Sequence, residues 1–299
     1  MKPAPNRLAI ILSFLAIYLI WGSTYLAIKV GVDTIPPFLM AGSRHLVAGV
    51  IMLAAALFLG ATRPSLAELK GAGLVGVLLL LGGNGLVSWA EQTVDSGFAS
   101  LIISTTPFFM LLFDRLGPAR QTPSLGSVAG LIVGFAGVIL LIGPSNLLTP
   151  GSVDWVGVGM LLIATASWAL GSMVARYHAM PTNPVMSTAM QMLAGSAAVL
   201  IVSLLMNEPA DFRLSQVSAA SFWSWIYLIV AGSIVGFSAF VYLMRHVSPA
   251  RVSTYAYVNP VVAVLLGWWL GNEPLTAGMI AGGVLILGSV AVISVLKGR

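Results

Sequence analysis

Ten runs of apolar residues fill this chain almost end to end. Each is close to the ~20 residues that a helix needs to cross the hydrocarbon of a bilayer. Their limits fall near 8–29, 36–59, 71–91, 96–114, 124–142, 153–175, 184–206, 220–243, 249–271 and 275–296. The linkers are short and hold turn residues, among them Pro36-Pro37, Gly117-Pro118, Gly143-Pro144, Pro181 and Pro209. Of 299 residues, 58% are hydrophobic and 8% charged, against about 25% charged in a soluble domain. So large an apolar surplus cannot be buried in one soluble core. The expected fold is an all-α integral membrane protein with ten transmembrane helices. The first run, from Leu8 to about Ala27, follows Lys2 and Arg7. It exceeds the ~7–15-residue core of a signal peptide and no small-x-small cleavage site follows, so it reads as a retained span.

Ten spans make a strict prediction about charge. With a cytoplasmic N-terminus, the inner side receives Lys2, Arg7, Arg63, Lys70, Arg115, Arg120, Arg176, Arg245, Arg251, Lys297 and Arg299. The outer side receives only Lys29 and Arg213, while Arg44 falls inside the second span. This is the positive-inside pattern, and one span more or fewer scrambles it. Both termini are expected in the cytoplasm of a bacterial inner membrane. The net charge of +5 therefore encodes topology. The basic residues form no patch, and no nucleic-acid partner is expected. With no cysteine, disulfides and thiolate metal sites are excluded.

The chain also echoes itself. An offset of 147 positions places Trp21 on Trp168 and Lys29 on Arg176. An offset of 153 places Gly83 on Gly236 and Pro107 on Pro260, and 152 places Gly126 on Gly278 and Gly130 on Gly282. Spans one to five (1–146) thus match spans six to ten (147–299). Five is odd, so the second half enters the membrane from the opposite side, the inverted repeat found in many secondary transporters. Ser100, Ser104 and Pro107 share one helical face, as do Ser253, Tyr257 and Pro260. Both prolines sit too deep to start a helix, so each should kink its span and free a carbonyl.

The runs WGSTYLAIKVG at 21–31, STYAYVNPVVAVLLG at 253–267 and GNEPLT at 271–276 resemble the EamA-type drug/metabolite transporter superfamily, and within it bacterial inner-membrane exporters. The resemblance covers nearly the whole chain. It implies two inverted five-helix repeats around a central cavity, and export of amino acids, related metabolites or drugs. One departure is visible: Arg120 stands where the second half has Glu273.

Arg44 and His45 lie about 12 Å along the axis of span two. An arginine at that depth needs a wet cavity or a partner. Arg44 either receives a substrate carboxylate, or holds an acid such as Glu91 that gates the outer vestibule, or snorkels to the headgroups. His45 either contacts substrate or a proton, or bonds a neighbouring helix. Trp21 and Trp168 either wall the substrate path or pack with satisfied N–H groups. Asn84 and Ser88 in span three, Ser104 in span four, Gln191 in span seven, and Tyr255, Tyr257 and Asn259 in span nine need partners in hydrocarbon and so face inward. They either bind substrate or tie helices together. Pro107 and Pro260 are candidate hinges. The Trp268-Trp269 and Trp223/Trp225 pairs read as interfacial aromatics. The Gly126, Gly130, Gly134, Gly278 and Gly282 stripes read as close packing within the fold. Glu273 reads as a cap on its own helix or a facing one.

No paired carboxylates, HExxH or GxSxG occur, so an intramembrane enzyme is disfavoured. No nucleotide-binding loop, cofactor motif or metal-ligand cluster is present, and no cofactor or metal is expected. A passive channel or facilitator for neutral solutes, and a carrier of nucleotide- or phosphate-bearing metabolites, remain as alternatives. The single deep cation disfavours the second. The leading expectation is a secondary transporter of amphipathic small molecules, amino acids with aromatic or hydrophobic side chains first. Its partners are that substrate and the lipid bilayer, as a monomer, with a dimer as the alternative.

Overall fold

The computed structural model describes residues 7–116, 125–142, 153–247, 252 and 254–297. Among these, all regular structure is helical. Helix α1 spans Arg7–Val32, α2 Pro37–Phe58, α3 Leu66–Ala90, α7 Trp155–Tyr177, α8 Pro184–Leu205 and α9 Ala219–His246, and these six are long and apolar enough to cross a membrane. The shorter apolar helices are α4 (Ser96–Ile103), α5 (Thr106–Leu116), α6 (Leu125–Ile142), α10 (Tyr255–Leu270) and α11 (Ala277–Lys297). Large apolar side chains such as Leu12, Val50, Leu205 and Val284 are exposed on the outer faces of the bundle, as lipid contact requires. The two turn pairs Gly117-Pro118 and Gly143-Pro144, with Arg120, Arg251 and Ser253, lie outside the described residues, as does the side chain of Tyr257.

Helix starts show why these residues form these elements. Ser65 caps α3 in a reciprocal capping box with Glu68, and Asn183 accepts from Val185 N and Met186 N at α8. Ser218 caps α9, and Asp154 caps α7 by accepting from Gly157 N at 2.9 Å. That bond and the Thr93 hydroxyl hold the Asp154 carboxyl below the usual carboxylate range. Helices α2 and α4 are different, because neither Pro36 nor Asp95 caps with its own side chain. Their first amides are taken by glutamates from the second half of the chain. Glu208 accepts from Phe38 N (3.2 Å) and Leu39 N (2.7 Å). Glu273 accepts from Ser96 N and Gly97 N, both at 2.9 Å. Each glutamate stands in an Asn-Glu-Pro tripeptide whose asparagine, Asn207 or Asn272, has positive φ (61° and 57°). Asparagine tolerates that conformation better than most residues. Glu273 thus caps the facing helix and not its own.

Two matched helices contain long π segments, Val77–Gly85 in α3 and Leu228–Phe237 in α9, and α1 has a third at Ala16–Ile20. Such segments leave carbonyls without their regular partners, and side chains use them. Trp21 Nε1 donates to Gly232 O at 3.1 Å. With its amide nitrogen turned inward, Asn259 donates to Ile17 O (3.0 Å) and Tyr18 O (3.2 Å).

Packing is pairwise. Helix α2 lies along α8, and α6 along α11. Helix α1 contacts α9 and α10, while α7 contacts α3 and α4–α5. Glycine lets the tightest pairs approach: a Cβ on Gly282 would stand 2.6 Å from Gly137 O, and one on Gly76 would overlap Gln191 O.

The prolines act differently from the expectation. The helix stops at Ile103 and restarts at Thr106, so Pro107 occupies the first turn of α5. Two threonine hydroxyls there, Thr105 and Thr106, bond back to Ile102 O and Ile103 O at 2.6 Å. This span is broken, not merely kinked, and the Thr106 hydroxyl takes the Ile103 carbonyl that the missing Pro107 N–H leaves. Pro260 lies inside the continuous α10. Trp225 also departs from the interfacial reading. It turns inward and donates Nε1 to Ser43 Oγ at 3.0 Å, whereas Trp223, Trp268 and Trp269 are exposed.

Candidate functional site

The π segments of α3 and α9 frame one internal cavity with α1, α2, α4–α5, α7 and α10. Its wall includes Trp21, Tyr25, Arg44, His45, Asn84, Trp168, Phe237, Tyr255 and Asn259. It holds about 760 Å³ of empty space, open solvent at its mouth included.

The aromatic side is built around Trp21. Its ring meets Trp168 edge-on at 5.8 Å, Tyr255 edge-on at 5.5 Å and Phe240 at 5.2 Å. Trp168 Nε1 donates to the Tyr255 hydroxyl at 3.1 Å. Both indoles therefore have satisfied N–H groups while their rings line the cavity. Each leans on a π-segment glycine of the opposite half. A Cβ on Gly236 would stand 2.5 Å from Trp21 Nε1, and one on Gly83 would stand 3.0 Å from Trp168 Cε3.

The polar side is built around Arg44, which is 2% exposed. Its Nη2 donates to Asn84 Oδ1 at 2.7 Å, while its Nε–H has no partner. A buried guanidinium N–H without an acceptor is an unspent charge-assisted donor. His45 contacts Ala41 O through Nδ1 at 2.7 Å. A carbonyl only accepts, so Nδ1 carries the proton and Nε2 of the neutral ring is an acceptor. The cavity thus joins a cationic donor, an imidazole acceptor and an apolar aromatic wall.

Not every residue singled out from sequence borders this space. Ser88 is fully buried with its hydroxyl unpartnered and is not in the wall. Ser104 bonds to Leu101 O at 2.6 Å within its own helix. Gln191 donates to Ser187 Oγ at 3.1 Å and sits where α8 crosses α3. Pro107 and Pro260 lie outside the wall. Conversely, Thr24, Tyr25, Thr106, Ser233 and Phe237 are in the wall and were not singled out. The spacing of Tyr25 four residues after Trp21 was the signal that could have found it.

Beyond Arg44 and Tyr25 stands a second polar group of residues. Glu91, at the end of α3, is fully buried, and neither carboxylate oxygen has a hydrogen-bond partner. Lys29, Arg44 and Glu273 are within electrostatic reach of it. Lys29 Nζ donates to Val94 O at 3.2 Å. Burial and the nearby Glu273 raise the Asp95 carboxyl above the usual carboxylate range.

Known proteins resemble this chain over nearly all of its length. It is 42% identical to the inner membrane transporter YedA of Escherichia coli (strain K12) over 280 residues, 93% of this chain and 88% of that protein. It is 28% identical to a probable terminal-alkyne amino-acid exporter of Streptantibioticus cattleyicolor, over 90% of this chain and 88% of that one. A solved crystal structure at 21% identity superposes with a TM-score of 0.66, covering 98% of this chain and all of the other, and so shares the fold. The EamA-like transporter family model matches twice, at residues 8–143 and 155–295. The chain belongs to the EamA-like transporter family, and it is a transporter rather than an enzyme.

Proposed function

We propose that the protein exports small amphipathic carboxylates, amino acids with aromatic or hydrophobic side chains first, across a bacterial inner membrane. The observation that carries this reading is the placement of Arg44 in one cavity wall with Trp21, Trp168 and Tyr255. Arg44 receives the carboxylate, neutral His45 Nε2 and Asn84 lie on the side that meets the ammonium, and the aromatic wall takes the side chain. A phosphate-bearing substrate would call for more cations than Arg44, the sole Lys or Arg among the described residues of the wall. The amino-acid exporter among its relatives supports the substrate class.

The transport cycle is alternating access between two inverted five-helix repeats, residues 1–146 and 147–299, making ten crossings with both termini cytoplasmic. The double family match supports this reading, as do the reciprocal Trp21–Gly236 and Trp168–Gly83 contacts. The break before Pro107 and the internal Pro260 supply the flexible points.

Counterflow of labelled amino acids in proteoliposomes tests the reading. Wild-type protein should exchange L-tryptophan or L-phenylalanine. Arg44→Ala should lose at least about tenfold in apparent affinity, since a hydrogen bond to a charged group is worth about 1.5–3 kcal/mol. Arg44→Lys should restore only part, because a point charge replaces the planar fork. Full flux in Arg44→Ala would sink the carboxylate assignment, and flux without counterflow would favour a passive channel.

A further inference from the structure

We infer that Asn259 is a positioning residue that couples the cavity to an apolar seal beside it, by holding the π segment of α1 in place. The inference rests on the alternating-access reading and assigns the part that shuts one side.

The seal follows from the order of residues on three helices. On α1 the cavity residues fall between Trp21 and Ile28, and those on the Arg7 side of Trp21 belong to a separate apolar cluster. On α9 the cavity takes residues from Gly232 to Phe237, and the cluster begins at Ala239. Around the start of α10, Val252 belongs to the cluster, Tyr255 to both, and Asn259 to the cavity. The cluster therefore continues the cavity toward the end of the bundle that the proposed topology puts in the cytoplasm. Ile17 and Leu243 are fully buried there, and Val252 is 1% exposed. The Tyr18 hydroxyl and Thr254 Oγ1 share a 2.5 Å bond from one half of the chain to the other.

The seal is held by a helix out of its regular form. Residues Ala16–Ile20 of α1 are a π segment, a wider turn with one residue more than the α turn it replaces. Beyond it α1 is fixed. Trp21 Nε1 bonds to Gly232 O, and a Cβ on Gly22 would stand 2.6 Å from Val262 Cβ of α10. The carbonyls of the segment find a donor outside their own helix. The Asn259 amide donates to Ile17 O at 3.0 Å and Tyr18 O at 3.2 Å, and Asn259 is itself in the cavity wall. One side chain thus touches both the solute space and the seal. A solute seated on the aromatic wall meets this amide and turns it, which withdraws the donor from both carbonyls. Without an outside donor the segment reverts to α geometry, where backbone N–H groups of the same helix satisfy them. Taking the extra residue out of the turn rotates the Arg7 side of α1 by about 100° and shifts it by about 1.5 Å. Because Trp21 and Gly22 are held, Phe14 and Tyr18 are what move, and the seal opens.

A chain without cysteine allows a single-cysteine reporter. Ala239→Cys places a small thiol in the seal, at a position 8% exposed. N-ethylmaleimide should label it slowly in detergent, and saturating L-tryptophan should speed the labelling at least about threefold as the open population grows. With Asn259→Ala added, labelling without solute should be about tenfold faster, the effect of roughly one lost hydrogen bond on an opening equilibrium. L-tryptophan should then add nothing. Tyr18→Phe, which leaves Asn259 in place, should label faster and keep its response to L-tryptophan. Ala56→Cys, fully buried in α2 outside the cluster, should stay unreactive alongside Asn259→Ala, which separates an opened seal from a loosened fold. Should Asn259→Ala fail to fold by thermal melting, Asn259→Asp, similar in shape but without the amide donor, takes its place with the same expectations. Parent-rate labelling in the Asn259 variant, a full L-tryptophan response in it, or a reactive Ala56→Cys would overturn the coupling. If L-tryptophan and the wider amino-acid panel give no counterflow, the substrate reading fails, and the labelling rates without solute still decide whether Asn259 holds the seal.

Discussion

Gly236 is a residue whose importance lies in what it lacks. The indole of Trp21 occupies the place where a side chain would begin, with Nε1 2.5 Å from the position of a Cβ. Gly236→Ala must push Trp21 off Gly232 O or distort the π segment, and overpacking of this kind typically costs about 1–3 kcal/mol. A lower melting temperature in detergent and reduced tryptophan counterflow are expected. Gly83→Ala, with 3.0 Å to Trp168 Cε3, should be milder. Equal tolerance of alanine at both sites would remove this packing account. Arg44, His45, Trp21 and Trp168 were legible as cavity residues because charge and bulky aromatics deep in an apolar span have few other uses. Sequence could not separate Ser88, Ser104 and Gln191, which lie outside the wall, from the wall residues, because one polar residue on a helix does not show which neighbour it faces. The Ser104 hydroxyl simply bonds one turn back in its own helix.

Helices in this protein solve the problem of their first turn in two ways. Helices α3, α7, α8 and α9 supply a Ser, Asp or Asn of their own. Helices α2 and α4 borrow a carboxylate from an Asn-Glu-Pro turn far along the chain. Replacing Glu273 by Gln leaves a neutral amide against Ser96 N and Gly97 N, and should cost about 1–3 kcal/mol. Glu208→Gln should behave alike, with the two losses close to additive because they serve different helices. Thermal unfolding of the single and double variants measures this. Asp154 gives a pH-dependent case. Its folded carboxyl is held low by Gly157 N and Thr93, so its contribution is present above the unfolded value of ~3.9 and is lost as pH falls through the lower folded value. The acid limb of the melting-temperature profile should therefore flatten in Asp154→Asn. At the break in span four, Pro107→Ala lets α4 run toward α5, and slower turnover with an intact fold is expected. Wild-type turnover would remove the hinge. The sequence located this proline but not the break, because the break also depends on Thr105 and Thr106, which read as ordinary small residues. The π segments were likewise invisible, since no residue type marks them.

At the scale of the whole molecule, hydropathy carried most of the fold. Among the described residues the apolar runs fell on helices, one of them split between Ile103 and Thr106, and the matched Trp21 and Trp168 touch. What a linear pattern could not give is which half supports which. Reporter fusions at both termini should report the cytoplasm. A periplasmic signal from either end would contradict the ten-crossing arrangement. The borrowed caps then have a consequence for how such a protein can be built. Four amide groups that begin two helices of residues 1–146 find their acceptors only in residues 147–299. The first half contains no Asn-Glu-Pro tripeptide. Two copies of it, placed head to tail, would leave those amides without their carboxylates, whereas the two unlike fragments made together would satisfy them. Whatever equality the halves once had, each now completes the other, and neither can stand in for its counterpart.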